Sequence, residues 1–250
     1  RIASVLKLAV IGDPVEHSAS PELHRGFLDA AGIAGTYEAI RVPLGDGARA
    51  IEELRAAGYT GLNVTTPLKE EAFARADVRD PIARVTGAVN TLLLGPTIRG
   101  YNTDGIGTLG ALVSAGLVHM TGRRVLVLGA GPTARAAVAA LADAGAIVTI
   151  WNRTKSKADA IARDLAARAW TSEEGDANAY DAAFSTLSPG VAIGDATLAR
   201  ALRQTPIIVD ANYAVRATLG KAIGRDDVAD GAAMLAASAR AAFDYFRAAP

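Results

Sequence analysis

The sequence predicts an α/β protein with mostly parallel sheet, built as two domains. Three observations point there. Short apolar runs alternate with helical patterns over most of the chain. A glycine-rich turn, Gly129-Ala-Gly131, sits where one such run meets an alanine-rich helix. The 250 residues, 50% of them hydrophobic and 21% charged, are enough for one large domain or two ordinary ones and rule out bulk disorder.

The elements follow in order. Leu8 to Ile11 reads as a buried strand that stops at Gly12-Asp13-Pro14. Pro21 to Ala31 carries Leu23, Phe27, Leu28 and Ala31 on one helical face, with proline in the first turn. Tyr37 to Val42 is a second strand, Ala48 to Ala57 a helix ending near Gly58, and Leu62 to Thr65 a third strand. Pro67-Leu-Lys69 opens another helix. Further on, strands are expected at Arg124–Leu128, Ala146–Trp151, Asp181–Ser185 and Ile207–Asp210. A closing amphipathic helix, Ala232 to Ala248, turns Met234, Leu235, Ala239, Ala242, Phe243 and Phe246 inward. A break near Asp104 to Leu109 and a second crossing near Asp230 divide the chain. Residues 1–104 with 231–250 are expected to form one domain and 105–230 the other.

Composition narrows the function. Twenty-six basic and 26 acidic residues give no net charge, which argues against nucleic acid or an anionic membrane as partner. With no cysteine, disulfides, thiolate metal sites and cysteine nucleophiles are excluded. No metal site is expected. The apolar runs are too short to span a bilayer and no signal peptide is visible, so a cytoplasmic protein is expected, as monomer or homodimer.

Gly129-Ala130-Gly131-Pro132-Thr133-Ala134 fits G-x-G-x-x-G/A in the strand–turn–helix context that the motif requires. The first glycine permits the tight turn, the second lets a pyrophosphate approach the backbone, and Ala134 keeps the helix close to the sheet. An NAD site usually carries a carboxylate at the end of the next strand. Here that strand ends Trp151-Asn152-Arg153-Thr154, followed by Lys155-Ser156-Lys157. Cations and hydroxyls stand where a 2′-phosphate would lie, and Arg153 can pair with it, so the cofactor reads as NADP(H). Positive charge at a helix start also opposes the macrodipole unless an anion compensates it.

Four polar segments occupy turns of the first half: residues 12–24 with His17, Ser18, Ser20 and His24; residues 61–69 with Asn63, Thr65 and Lys69; residues 87–91 with Asn90; and residues 100–105 with Asn102, Thr103 and Asp104. Two hydroxyls before Pro21 suit a carboxylate, although one serine alone could be an N-cap. Asn63, Thr65 and Asn90 both donate and accept, which suits a ligand rich in hydroxyls. His17 and His24 read as structural, satisfying turn or helix-end groups.

These segments, in this order and spacing, together with the glycine turn and Asn152-Arg153-Thr154, resemble the shikimate dehydrogenase family over most of the chain. The resemblance implies an N-terminal α/β substrate domain and a Rossmann-type dinucleotide-binding domain, with the last helix returning to the first. It implies that Lys69 and Asp104 flank the reacting oxygen, Lys69 as proton donor, in an NADP-dependent interconversion of 3-dehydroshikimate and shikimate. It implies substrate contacts from Ser18, Ser20, Asn63, Thr65, Asn90 and Tyr213. Cofactor contacts are implied from residues 129–134, Asn152, Arg153, Thr154, Lys157, Gly231 and Met234. The chain departs from the family pattern where Ser185-Thr186-Leu187 replaces N-A-T and Ala214 to Thr218 replaces a proline-rich stretch. Ser238 stands where the family carries a substrate-binding glutamine, two heavy atoms shorter in reach. Preference for shikimate, quinate or an amino analogue is left open by that change, as is a catalytically idle module that binds the metabolite and NADP.

Overall fold

A computed structural model describes residues 5–171 and 179–248. The chain divides into two compact units, residues 1–103 with 238–250, and residues 104–237.

The first unit runs β1 (Leu6–Gly12), α1 (Ser20–Ala31), β2 (Gly35–Arg41), α2 (Gly47–Ala56), β3 (Gly61–Val64), α3 (Lys69–Arg75), β4 (Val78–Arg79), α4 (Pro81–Thr86), β5 (Thr91–Leu94) and β6 (Ile98–Tyr101). Its sheet has the order β2-β1-β3-β5-β6-β4. The strands β2, β1 and β3 are parallel, as the alternation of strands and helices predicts. A hairpin of β5 and β6 then runs antiparallel against β3, which the sequence did not announce. Thr91 to Leu94 lacks alternation, and its partner β6 contains Gly100, so neither carries a strong strand signal.

Side chains leave β1 alternately to two cores. Ala9 and Ile11 join Leu62, Val64 and Ile51 on one face. Leu8 and Val10 meet Leu28, Phe243 and Phe246 on the other. Burying each of those phenylalanines contributes roughly 1.5–3 kcal/mol. Helix α1 differs from its expected face. Ser20, His24 and Leu28 are the buried stripe, Leu23 and Phe27 are half-buried, and Ala31 is exposed. The apolar pattern misled because the i, i+4, i+8 row facing β1 and β2 starts with two polar residues.

The second unit runs α5 (Asp104–Ser114), β7 (Arg124–Leu128), α6 (Pro132–Asp143), β8 (Ile147–Trp151), α7 (Lys155–Asp164), β9 (Arg168–Ala169), β10 (Ala182–Ser185), α8 (Ala196–Gln204), β11 (Ile207–Asp210) and α9 (Leu219–Ile223). Its strands are all parallel, in the order β11-β10-β7-β8-β9. Both faces are covered, as a parallel sheet requires. Val125 and Val127 pack with α5, α6 and α7. Leu126 and Leu128 pack with α8 and α9. The last helix, α10 (Ala232–Ala248), places Met234 in a core of the second unit and Ala242, Phe243 and Phe246 in a core of the first. Among the described residues no helix is long and apolar enough to cross a membrane.

Candidate active site

In the second unit, the order β9-β8-β7-β10-β11 reverses direction at β7, the switch point where open parallel sheets bind ligands at the carboxyl ends of their strands. The glycine turn leaves β7 there. Gly129 has φ +111°, and a Cβ on it would lie 2.3 Å from Thr186 Oγ1 at the end of β10, so only glycine fits. Gly131 is the extended N-cap of α6 and is open to solvent, with nothing within 4 Å of an added Cβ. No side chain caps this helix, Pro132 occupies its first turn, and Ala134 is wholly buried against the sheet. Ala130 is half-buried at the turn.

The next strand, β8, delivers Asn152, Arg153 and Thr154 to the start of α7. Asn152 Nδ2 donates to Thr154 O at 3.0 Å, which closes the turn. Arg153, Thr154 and Lys157 are exposed. Lys155 pairs with Asp159 one turn along, at 2.6 Å, so part of the charge that reads as opposing the macrodipole is compensated within α7. Tyr213 is half-buried and precedes a 3₁₀ turn at Ala214–Arg216. Gly231 approaches Ala211 so closely that a Cβ would fall 2.1 Å from its carbonyl oxygen. Met234 is buried.

Asp104 opens α5 and is 4% exposed. Its carbonyl accepts from Thr108 Oγ1 at 2.9 Å, and its Oδ2 accepts from Thr133 Oγ1 at 3.0 Å. The carboxylate is therefore tied to the first turn of the helix that follows the glycine motif. Nothing in the sequence marks that contact.

In the first unit, hydroxyls and amides from distant segments form one hydrogen-bonded series. Asn90 Oδ1 accepts from Thr103 N at 2.9 Å and Thr91 Oγ1 at 3.0 Å. Thr103 Oγ1 lies 2.7 Å from Ser238 Oγ and 3.1 Å from Asn90 Nδ2. Asn63 Nδ2 lies 3.3 Å from Thr91 Oγ1 and 3.4 Å from Asn90 O. Asn63 Oδ1 accepts from the Tyr37 hydroxyl at 2.7 Å. The sequence-predicted Asn63, Asn90 and Ser238 are thus brought together, with Tyr37, Thr91 and Thr103 added. Thr103 stands within a polar segment already singled out. Tyr37 looks from the sequence like any aromatic strand residue.

Ser18 and Ser20 lie at the start of α1, where Ser18 Oγ accepts from Ser20 N at 3.3 Å. The cap residue is Ala19, so neither serine is the N-cap. Thr65 is half-buried after β3, its N–H bonded to Ile11 O at 2.9 Å. Lys69 is half-buried at the start of α3, and its carbonyl accepts from Val89 N at 2.9 Å, one residue before Asn90. His17 is exposed. His24 is structural for a different reason from the expected one. It is fully buried, neither ring nitrogen has a hydrogen-bond partner, and its ring stacks on Tyr37 at 4.3 Å between Phe27, Phe243 and Phe246. Burial pulls its pKa from 6.5 to about 4.

A parallel, doubly wound unit with a glycine turn at its switch point, in one chain with a second α/β unit lined by amides and hydroxyls, defines a Rossmann-type protein of two units. Comparison with known proteins takes this further. Residues 10–92 match the shikimate dehydrogenase substrate binding domain, and residues 111–213 match shikimate / quinate 5-dehydrogenase. A relative from Hyphomonas neptunium, named shikimate dehydrogenase (NADP(+)), is 38% identical over 96% of this chain and 90% of its own. One of the same name from Methanosarcina acetivorans is 47% identical over 63% of this chain. That match spans 57% of the relative, just over half its length. Among solved structures, shikimate 5-dehydrogenase from Thermus thermophilus, in complex with NADP(H) and shikimate, has 33% identity and a TM-score of 0.82, covering 97% of this chain and 93% of that one. The chain belongs to the shikimate dehydrogenase family.

Proposed function

We propose that the chain is an oxidoreductase that interconverts 3-dehydroshikimate and shikimate with NADP(H), residues 1–104 and 231–250 forming the substrate domain and 105–230 the cofactor domain. The observation that carries this reading is the series Asn63, Thr91, Asn90, Thr103 and Ser238, which gathers hydroxyl-recognising groups on the segment leading directly into Asp104. The relatives' names and the NADP(H)–shikimate complex of the Thermus enzyme support the same assignment.

The dinucleotide fits the residues present. An uncapped helix start with an open Gly131 offers backbone N–H groups to a pyrophosphate. Arg153, Thr154 and Lys157, with Asn152, supply the charge and hydroxyl that a 2′-phosphate needs. Gly231 and Met234, at the start of the last helix, are further contacts assigned to the dinucleotide. When bound, NADP(H) supplies or accepts the hydride.

The remaining chemistry belongs to the side chains. Ser18 and Ser20 hold the substrate carboxylate. Asn63, Thr65, Asn90 and Tyr213 orient its hydroxyls, and Ser238 contributes through the short hydroxyl that stands where the family has glutamine. In the reducing direction Lys69 gives its proton to the alkoxide that forms at the reduced carbon. Asp104, held by Thr133, orients the amine and accepts from the neighbouring hydroxyl.

Lys69→Ala tests this assignment. Losing a positioned proton donor lowers kcat by about 10³-fold, while NADP⁺ affinity by titration stays unchanged. Near-native turnover in the variant would refute the mechanism.

A further inference from the structure

Strand β2 is an edge strand whose only buried residue is Tyr37, 4% exposed. The ring fills an aromatic cluster, stacked on His24 with an interplanar angle of 8°. A phenylalanine would serve that packing equally well. The hydroxyl is therefore an addition that packing does not require. Desolvation holds the phenol well above its ordinary pKa, against a smaller opposing hydrogen bond with Ser20, so it remains a proton donor.

Its proton goes to Asn63. The oxygen and nitrogen of a carboxamide are nearly the same size, and a flip exchanges acceptor for donor. Here two neighbours break that symmetry. The Asn90 carbonyl, 3.4 Å away, is only an acceptor and demands the amino end. The phenol, 2.7 Å away, gives its proton to the oxygen end. The contact at oxygen is short, and both contacts at nitrogen, 3.3 and 3.4 Å, are long. The strong anchor is thus the phenol.

We infer that Tyr37 is a positioning residue for substrate recognition: its hydroxyl locks the Asn63 carboxamide with its amino end on Thr91 Oγ1 and Asn90 O, so that Asn63 meets a ligand with the remaining lone pair of its oxygen and selects a hydroxyl that can donate. This rests on the assignment of Asn63 to the substrate site. A carboxamide without the lock spends part of its time flipped, presenting its oxygen to the Asn90 carbonyl and an N–H to the ligand's donating hydroxyl, and the loss falls on binding rather than on chemistry.

The experiment uses the full chain with Tyr37→Phe, which keeps the ring and its stack on His24. Removing one neutral hydrogen bond raises KM for shikimate about fivefold, with kcat within about twofold. In the Asn63→Ala background the same substitution has no further effect on KM, because the group it acts through is gone. An unchanged KM, or an equal rise in the Asn63→Ala background, overturns the inference. A readout without substrate separates this from the functional reading. The Asn63 side-chain amide gives one sharp pair of NMR signals in the parent protein and broadened or doubled signals in Tyr37→Phe. Identical signals in both proteins overturn the inference even where shikimate is turned over. If the parent does not oxidise shikimate, the functional assignment fails while the NMR result still decides the role of Tyr37.

Discussion

The polar residues of the two units are held in opposite ways. In the first unit, Asn63, Thr91, Asn90, Thr103 and Ser238 bond to one another, and Asn90, Thr91 and Thr103 are buried. In the second, Arg153, Thr154 and Lys157 stand exposed at a helix start. Under the proposed function the difference follows from ligand chemistry. A small ring with several hydroxyls is told from its isomers by direction, so its donors and acceptors have to be fixed beforehand. A phosphate dianion is recognised by charge, which long cationic side chains supply without a rigid frame.

Mutation tests that contrast from both sides. One expected effect is on the exposed cations. Arg153→Asp replaces the proposed 2′-phosphate partner with a like charge and raises KM for NADP⁺ on the order of 100-fold, with KM for NAD⁺ within about threefold. Steady-state kinetics with the two cofactors reads this directly. Equal losses with both would mean that Arg153 supports the fold or the adenosine rather than the 2′-phosphate.

An effect of similar size in free energy concerns the stability of the buried side of the first unit. The folded pKa of His24, about 4, lies below its unfolded value of 6.5, so the unfolded state binds more protons between those limits. Stability is therefore complete above about pH 6.5 and falls as pH drops toward 4, by about 3 kcal/mol in total. Urea unfolding at neutral and acid pH measures the slope. His24→Phe removes the titrating group and flattens it. An equally steep loss in that variant would assign the acid sensitivity to other groups.

The second unit was the more legible in sequence. Its strands are apolar runs, Val125 to Leu128 unbroken and Ile147 to Trp151 interrupted only by Thr149, and its turn carries Gly129, which geometry demands. The first unit was legible in its motifs and less so in its architecture. The β5–β6 hairpin has no turn of the favoured two-residue kind, since Gly95-Pro96-Thr97 joins its strands. The inward row of α1 starts Ser20, His24, which hydrophobic periodicity reads as an outward face. Tyr37, and the bond from Thr133 to Asp104, escaped for a further reason. The contacts that give them meaning, to Asn63 and Asp104, join residues far apart in the chain, and no local pattern encodes them.

The decisive assay is steady-state nicotinamide reduction by the purified full chain, with shikimate, quinate and aminoshikimate each offered with NADP⁺ and with NAD⁺. The highest kcat/KM is expected for shikimate with NADP⁺. No reduction with any of the three, or reduction of NAD⁺ by quinate alone, would contradict the assignment.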